Sequence, residues 1–180
     1  SYIRQVNGKW TTPQSIHANV GKINGCPTDG PALAAQQNRV AVTSLTRAQD
    51  QPRVQLSFSH NAGESFEAPF RIDDGNPLGR PSLLFLDSGD ALVAWLEKTN
   101  GGAEIRLRRV SSGLYSHPSI KIAATAAAKS AGFPKIAISG QDLLIAWRDD
   151  SQTKSLRAVT ISLLSVPGKL TKAVKPRIRN

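Results

Sequence analysis

Apolar residues in this chain fall into short runs of two kinds that recur in a fixed order. The first kind is continuous: Val40 to Ser44, Ala91 to Trp95 and Leu143 to Trp147, with Ala94-Trp95 and Ala146-Trp147 in matching places. Runs of this length predict strands covered on both faces. The second kind alternates: Val54-Gln55-Leu56, Ile105-Arg106-Leu107 and Leu156-Arg157-Ala158, each beginning 51 residues after the last. A period of two puts the apolar members on one face and the arginines on the other, which predicts half-exposed strands.

Two further landmarks complete the unit. Ahead of each continuous run stands a short strand led by Gly and Pro: Gly30-Pro31-Ala32-Leu33, Gly79-Arg80-Pro81-Ser82-Leu83 and Gly132-Phe133-Pro134-Lys135-Ile136. Polar turns at Gln37-Asn38, Asp87-Ser88-Gly89 and Ser139-Gly140 separate the two. After each alternating run comes a Gly turn and then an aromatic three residues ahead of a proline, as in Phe66 with Pro69 and Tyr115 with Pro118. Trp10 with Pro13 repeats the pattern near the start, and Gly168 with Leu170 is a weak copy at the end. Proline has no N–H for a ladder, so this fourth element is expected to be an edge strand. In chain order the four are strands A, B, C and D.

Four short strands in a repeat of about 50 residues, buried in the middle and marked by proline outside, predict an all-β fold made of β-propeller blades. A β-sandwich also has short strands and turns, but does not require the same landmarks in register three times. Ile3, Arg4 and Val6 precede Gly8 much as Leu107, Arg108 and Val110 precede Gly113, so the chain is expected to start in a strand C. The expected organisation is a half blade over 1–20, blades over 27–75, 77–124 and 130–175, and a basic C-terminal tail over 166–180. That is about 3.5 four-stranded antiparallel blades, where a closed ring has about four to eight. The remainder of the same polypeptide, or a second copy, is expected to close the ring; roughly 130–160 further residues upstream make six blades.

Charge changes this picture little. The formal net charge is +10, but Lys154, Arg157, Lys169, Lys172, Lys175, Arg177 and Arg179 all follow the last acidic residue, Asp150, and residues 1–150 carry only +3. Such an end reads as a solvated tail. No zinc-finger spacing, RNP-type motif or helix-turn-helix pattern accompanies it, so no specific nucleic-acid partner is expected. Hydrophobic residues make up 39% of the chain, yet none of their runs approaches the roughly 18–20 residues that cross a bilayer as a helix, and no membrane partner is expected. The single Cys26 cannot form a disulfide within the chain. The chain opens at Ser1 and contains no methionine, so its natural start is expected upstream.

At the turn between strands C and D of the first full repeat the chain reads Ser59-His60-Asn61-Ala62-Gly63-Glu64-Ser65-Phe66. This resembles the Asp-box, or BNR repeat, S-x-D-x-G-x-x-[FW], of sialidase-like propellers, with Asn61 in place of the usual Asp. Either side chain can accept from backbone amides two residues on, Gly63 supplies a positive φ, and Phe66 is expected to plug between strands. The turns at Asn7-Gly8 and Ser111-Ser112-Gly113 keep the Gly and the aromatic but shorten the box. The stretch from Asn24 to Asp149, with Asp73-Asp74-Gly75-Asn76-Pro77 inside it, is similar to bacterial secreted sialidase-like proteins. The resemblance implies part of a six-bladed propeller, a secreted or periplasmic location, and an Asp-box (Ser59, Asn61, Gly63, Phe66) that is a fold element on the face opposite the substrate.

Candidate chemistry follows from topology. The A–B and C–D turns share one end of the blades, and the B–C loops and D–A connections share the other, where ligand sites of propellers belong. That end collects Asn24, Cys26, Asp29, Asp73, Asp74, Asn76, Arg80, Glu97, Lys98, Phe133, Arg148, Asp149 and Asp150. The ligand-binding candidates are Arg80, Asp74, Asn76, Glu97, Arg148, Asp149 and Asp29, and a glycan or an anionic small ligand is the partner that such carboxylates and arginines suit. The competing reading of each is a turn or loop residue.

The resemblance further implies what a retaining sialidase needs: an arginine triad, a tyrosine nucleophile activated by a glutamate, and an acid/base aspartate. Of the two tyrosines, Tyr115 occupies the packing position of Trp10 and Phe66, and Tyr2 stands at the start of the chain, so no catalytic residue is assigned. Arg80 is the foremost anion-binding candidate, with Arg148 behind it. No metal or cofactor is expected, because His17, His60 and His117 have no mutual ligand spacing. Three functions fit: a sialidase-like glycan- or ligand-binding module without a complete catalytic site, part of an authentic exo-sialidase with its other catalytic residues elsewhere, and a structural or protein-interaction propeller.

Overall fold

A computed structural model of the protein describes residues 1–16, 30–47, 51–111, 113, 115–127, 133–150 and 155–167. Its strands form four antiparallel sheets. The first is the hairpin β1 (Gln5–Val6) and β2 (Lys9–Trp10); the second holds β3 (Ala32–Gln36), β4 (Arg39–Thr46), β5 (Arg53–Ser59) and β6 (Phe70–Arg71). The third holds β7 (Pro77–Phe85), β8 (Ala91–Thr99), β9 (Gly102–Val110) and β10 (Ile120–Thr125), and the fourth β11 (Lys135–Ser139), β12 (Asp142–Asp149) and β13 (Ser155–Ser162). Within each sheet the strands lie in chain order, as blades require.

The hairpin turns follow local chemistry. Asn7 and Gly8 both have positive φ (49° and 79°), the twist that a two-residue turn needs to match its strands. Gln37 sits at φ 54° in the β3–β4 turn, where Gln36 pairs with Arg39.

β8 explains the continuous apolar runs. Every residue from Ala91 to Glu97 is buried, but alternate side chains go to different cores. Ala91, Val93 and Trp95 join Ala41, Val54, Leu56, Phe58 and Ile72 of the preceding sheet. Leu92, Ala94 and Leu96 join Leu143, Ile145 and Trp147 of the following one. Each blade face therefore stays dry only because a neighbour covers it. Burial of each large side chain contributes about 1.5–3 kcal/mol. The innermost strand β7 also lies against β3, β4 and β11, the convergence expected near a propeller's axis.

Four sequence expectations need correction. The strand D prolines precede the paired segments: β6 begins at Phe70, after Pro69, and β10 at Ile120, after Pro118, so neither proline, which has no N–H to donate, interrupts its ladder. Continuous burial of strand B fails in β12, where Leu143, Ile145 and Trp147 are buried but Asp142, Leu144 and Arg148 are exposed, since no described residue covers that second face. The arginines of strand C are not solvated in β9, where Arg106 and Arg108 are half-buried in ion pairs. Finally, Tyr115 is not a packing residue: it is 64% exposed, as Trp10 is at 66%, and among the described residues the ring it meets is that of His117, T-shaped at 4.8 Å.

Of the expected basic tail, Val166 is buried against the core shared with Trp147, and residues 168–180 lie outside the described residues. So do Asn24, Cys26, Asp29 and His17.

Candidate functional site

Cross-links between loops place both ends of the blades as the topology requires. At one end the C–D turn meets the A–B turn, with Ala62 N donating to Asn38 O at 2.7 Å. Here the Asp-box closes on itself. Ser59 Oγ accepts from Gly63 N at 2.9 Å, and Asn61 Oδ1 accepts from Ser65 N at 3.0 Å and from Ser59 Oγ at 2.9 Å. Asn61 thus holds the amide four residues on rather than two, and Ser59 holds Gly63, whose φ is 79°. Phe66 is half-buried and its ring meets that of Tyr2, T-shaped at 5.1 Å.

At the opposite end lie the candidate ligand residues, and most of their polar atoms hold blade elements together. Glu97, 5% exposed at the end of β8, accepts from Trp95 Nε1 at 2.6 Å, from Asn76 N at 2.5 Å and from Asp74 N at 3.4 Å. It thereby fastens the D–A connection to strand B. Asp74 takes the guanidinium groups of Arg106 (3.1 Å) and Arg108, and accepts from Ser119 Oγ at 2.6 Å. Its neighbour Asp73, buried, accepts from Val54 N at 2.7 Å, from Gly75 N at 2.9 Å and from Arg71. That hydrogen bond, outweighing the cost of burial, raises the Arg71 pKa above its ordinary value.

The next blade repeats the device. Asp149, 2% exposed, accepts from Thr125 Oγ1 at 3.1 Å and pairs with Arg157 Nε at 2.8 Å, while Arg148 pairs with Asp150 at 2.9 Å. Asp149 follows Trp147 by two residues, as Glu97 follows Trp95. The acid is one methylene shorter here, and the outcomes differ: Trp95 Nε1 is bonded to its acid, whereas Trp147 Nε1 is buried without a partner among the described residues. The structure therefore brings Asp74, Asn76 and Glu97 together in one cluster, while Arg148 and Asp149, successive residues of β12, have separate partners, Asp150 for the first and Thr125 and Arg157 for the second; Asp29 lies outside the described residues.

Arg80 behaves differently. The pairing of β7 with β8 slips between Gly79, opposite Leu96, and Ser82, opposite Ala94, leaving Arg80 and Pro81 on a bulge across from Trp95. Bulges re-aim side chains and recur beside sites. The Arg80 guanidinium stands 5.8 Å from the centre of the Phe133 ring, and its Nε is buried with no hydrogen-bond partner among the described residues. Phe133 in turn packs against Gly79, where any Cβ would collide with the ring. The result is a cation beside an aromatic ring, without a carboxylate partner among the described residues, at the innermost strand.

One outer ion pair reports on pH. Glu104 bridges Lys121 of β10 at 2.8 Å and Arg106 at 2.9 Å, and the hydrogen bonds from Lys121 first and Arg106 second hold its pKa below the ordinary range. A lowered folded pKa stabilises fully above the unfolded value of about 4.3 and loses that contribution as pH falls through the folded one. The stability gap between the wild type and Glu104→Gln in urea is accordingly expected to be present at neutral pH and to vanish in acid. A gap independent of pH contradicts the assignment.

No family model and no curated protein matches the sequence. Solved structures do match the fold. The Hadza microbial sialidase Hz136 superposes with a TM-score of 0.56 at 14% identity, over 88% of this chain and 37% of that one. Xylan β-1,4-xylosidase from Bacillus halodurans C-125 gives 0.55 at 13%, over 84% and 33%, and a thermostable family-43 glycoside hydrolase 0.53 at 12%, over 72% and 49%. The shared property is the fold. The chain is built as successive blades of a β-propeller, and it spans between a third and a half of those proteins' lengths.

Proposed function

We propose that the chain is a sialidase-like propeller module that binds a glycan or other anionic ligand at the end carrying its B–C loops and D–A connections, with Arg80 as the anion-binding group. The observation that carries this reading is the contrast at that end: Asp73, Asp74, Glu97 and Asp149 are all engaged in contacts that hold blade elements together, whereas no described residue accepts a hydrogen bond from Arg80, whose Nε is buried. A buried guanidinium N–H without a partner is costly, and a ligand carboxylate matches it with two parallel hydrogen bonds. The natural setting for such a ligand is secreted or periplasmic.

Calorimetric titration with a sialylated oligosaccharide and its desialylated counterpart tests this. Binding of the acidic sugar is expected to weaken by at least about tenfold, or 1.4 kcal/mol, in Arg80→Ala, with Arg80→Lys intermediate because an ammonium cannot bind bidentately. Equal affinity for both sugars, or an Arg80→Ala variant that binds as well as wild type, contradicts it.

The likeness to sialidase Hz136 favours a second reading, in which the chain is part of an exo-sialidase whose tyrosine, glutamate and acid lie elsewhere. Turnover of a fluorogenic sialoside, abolished by Arg80→Ala, separates that reading from the first.

A further inference from the structure

Gly79-Arg80-Pro81 and Gly132-Phe133-Pro134 lead strand A in successive repeats, so Arg80 and Phe133 hold the same repeat position. The fold brings the two together across the boundary between the third and fourth sheets, with the Arg80 guanidinium carbon 5.8 Å from the centre of the Phe133 ring. A cation within about 6 Å of an aromatic centre, over its face, is attracted to the ring. Phe133 is half-buried and is followed by the buried Pro134, so the ring is anchored from the fourth sheet's side.

Space for the ring comes from Gly79. Its φ lies outside the left-handed range, so the backbone there does not itself call for glycine. The missing side chain serves packing: an added Cβ would stand 2.6 Å from Phe133 Cζ, closer than real Cβ atoms come to a neighbour. Gly30 leads strand A of the preceding repeat, and a Cβ added there would meet nothing within 4 Å. Glycine is thus a common mark of the repeat, but of these two it is Gly79 that a neighbouring blade's ring covers.

We propose that Gly79 and Phe133 are positioning residues for Arg80, and that the anion site is completed across a blade boundary. The bulge at Arg80 and Pro81 takes the arginine out of the regular ladder, and Phe133, seated against Gly79, stands beside the guanidinium while its Nε stays buried. Arginine has much rotamer freedom to lose, and fixing it before a ligand arrives removes that cost from binding. The cation belongs to one sheet and the ring to the next, so the pose of Arg80 depends on the docking of the two. That docking is made by Leu92, Ala94 and Leu96 against Leu143, Ile145 and Trp147. The effect on binding rests on the ligand reading above, whereas the pose of Arg80 in the free protein does not.

Nitrogen-15 NMR of the arginine Nε–H groups in the full chain, without ligand, tests the pose directly. Phe133→Leu is expected to move the Arg80 Nε–H resonance, because the ring current is gone, and to speed its exchange with water about fivefold or more, while Arg71 and Arg106, held by Asp73 and Asp74, keep theirs. Gly79→Ala is expected to do the same by pushing the ring away. Trimming the ring makes room for the added methyl, so Gly79→Ala/Phe133→Ala is expected to match Phe133→Ala alone rather than to add to it. Calorimetric titration with a sialylated oligosaccharide is expected to follow the same order, about fivefold weaker in each single variant and no weaker in the double than in Phe133→Ala. Phe133→Leu introduces no clash and decides even if Gly79→Ala does not fold. A Phe133→Leu variant with a lowered urea midpoint but an unmoved Arg80 resonance overturns the proposal, as do effects of the two substitutions that simply add. Arg80 released by Phe133→Leu in a protein that binds no sialylated oligosaccharide upholds the positioning and overturns the ligand reading instead.

Discussion

Trp95→Ala is expected to lower the free energy of unfolding by about 3–5 kcal/mol, measured from urea midpoints at constant slope. Trp95 has no exposed surface and lies in the core between the second and third sheets, against residues contributed by both. Its removal leaves a cavity that two rigid sheets cannot collapse, and it also strips Glu97 of one of three donors. Domains of this size have only about 5–15 kcal/mol in total, so a variant partly unfolded at physiological temperature is the expected phenotype. Trp10, 66% exposed, provides the comparison: Trp10→Ala is expected to change stability by less than about 0.5 kcal/mol. A Trp95→Ala cost as small as that contradicts the face-to-face packing of the blades.

Glu97→Ala is expected to cost about 3 kcal/mol for a different reason, since it leaves donors rather than a void. Trp95 Nε1, Asn76 N and Asp74 N would lose their acceptor, and each orphaned buried donor costs about 1–3 kcal/mol unless water enters. Glu97→Gln keeps one acceptor oxygen and turns an amide donor towards a group that is itself a donor, so about half the loss is expected. The D–A connection, freed from strand B, should become more open to limited proteolysis near Asp74 in the alanine variant. Were Glu97 a ligand residue instead, its substitution would abolish binding and leave the urea midpoint unmoved.

Much of the blade architecture was legible because period-two patterning and turn residues are local. The buried run of β8, the Asn7-Gly8 turn and the C–D turn at Gly63 each depend on neighbours a few positions away. The candidate site was less legible, because its chemistry depends on partners far along the chain. Asp74 meets Arg106, Arg108 and Ser119, and no spacing rule connects those positions. One signal was available: an acidic residue stands two places after the strand B tryptophan in both Trp95-Leu96-Glu97 and Trp147-Arg148-Asp149, on the side of the strand that carries the indole. A repeat of that kind reads as a part of the blade. Tyr115 misled in the opposite way, since its alignment with Phe66 implied packing, yet the shortened box leaves the ring exposed.

The division of labour at the ligand end, with acids holding blades and Arg80 left for a ligand, can be followed arginine by arginine. Nitrogen-15 NMR of the guanidinium Nε–H groups during titration with a sialylated oligosaccharide reports on each separately. The Arg80 Nε–H resonance is expected to shift and to exchange more slowly with water as ligand is added. Those of Arg71, Arg106 and Arg157, already paired with Asp73, Asp74 and Asp149, are expected to stay in place. Movement of Arg106 or Arg157 with Arg80 unchanged would contradict the assignment and return the acidic clusters to the ligand.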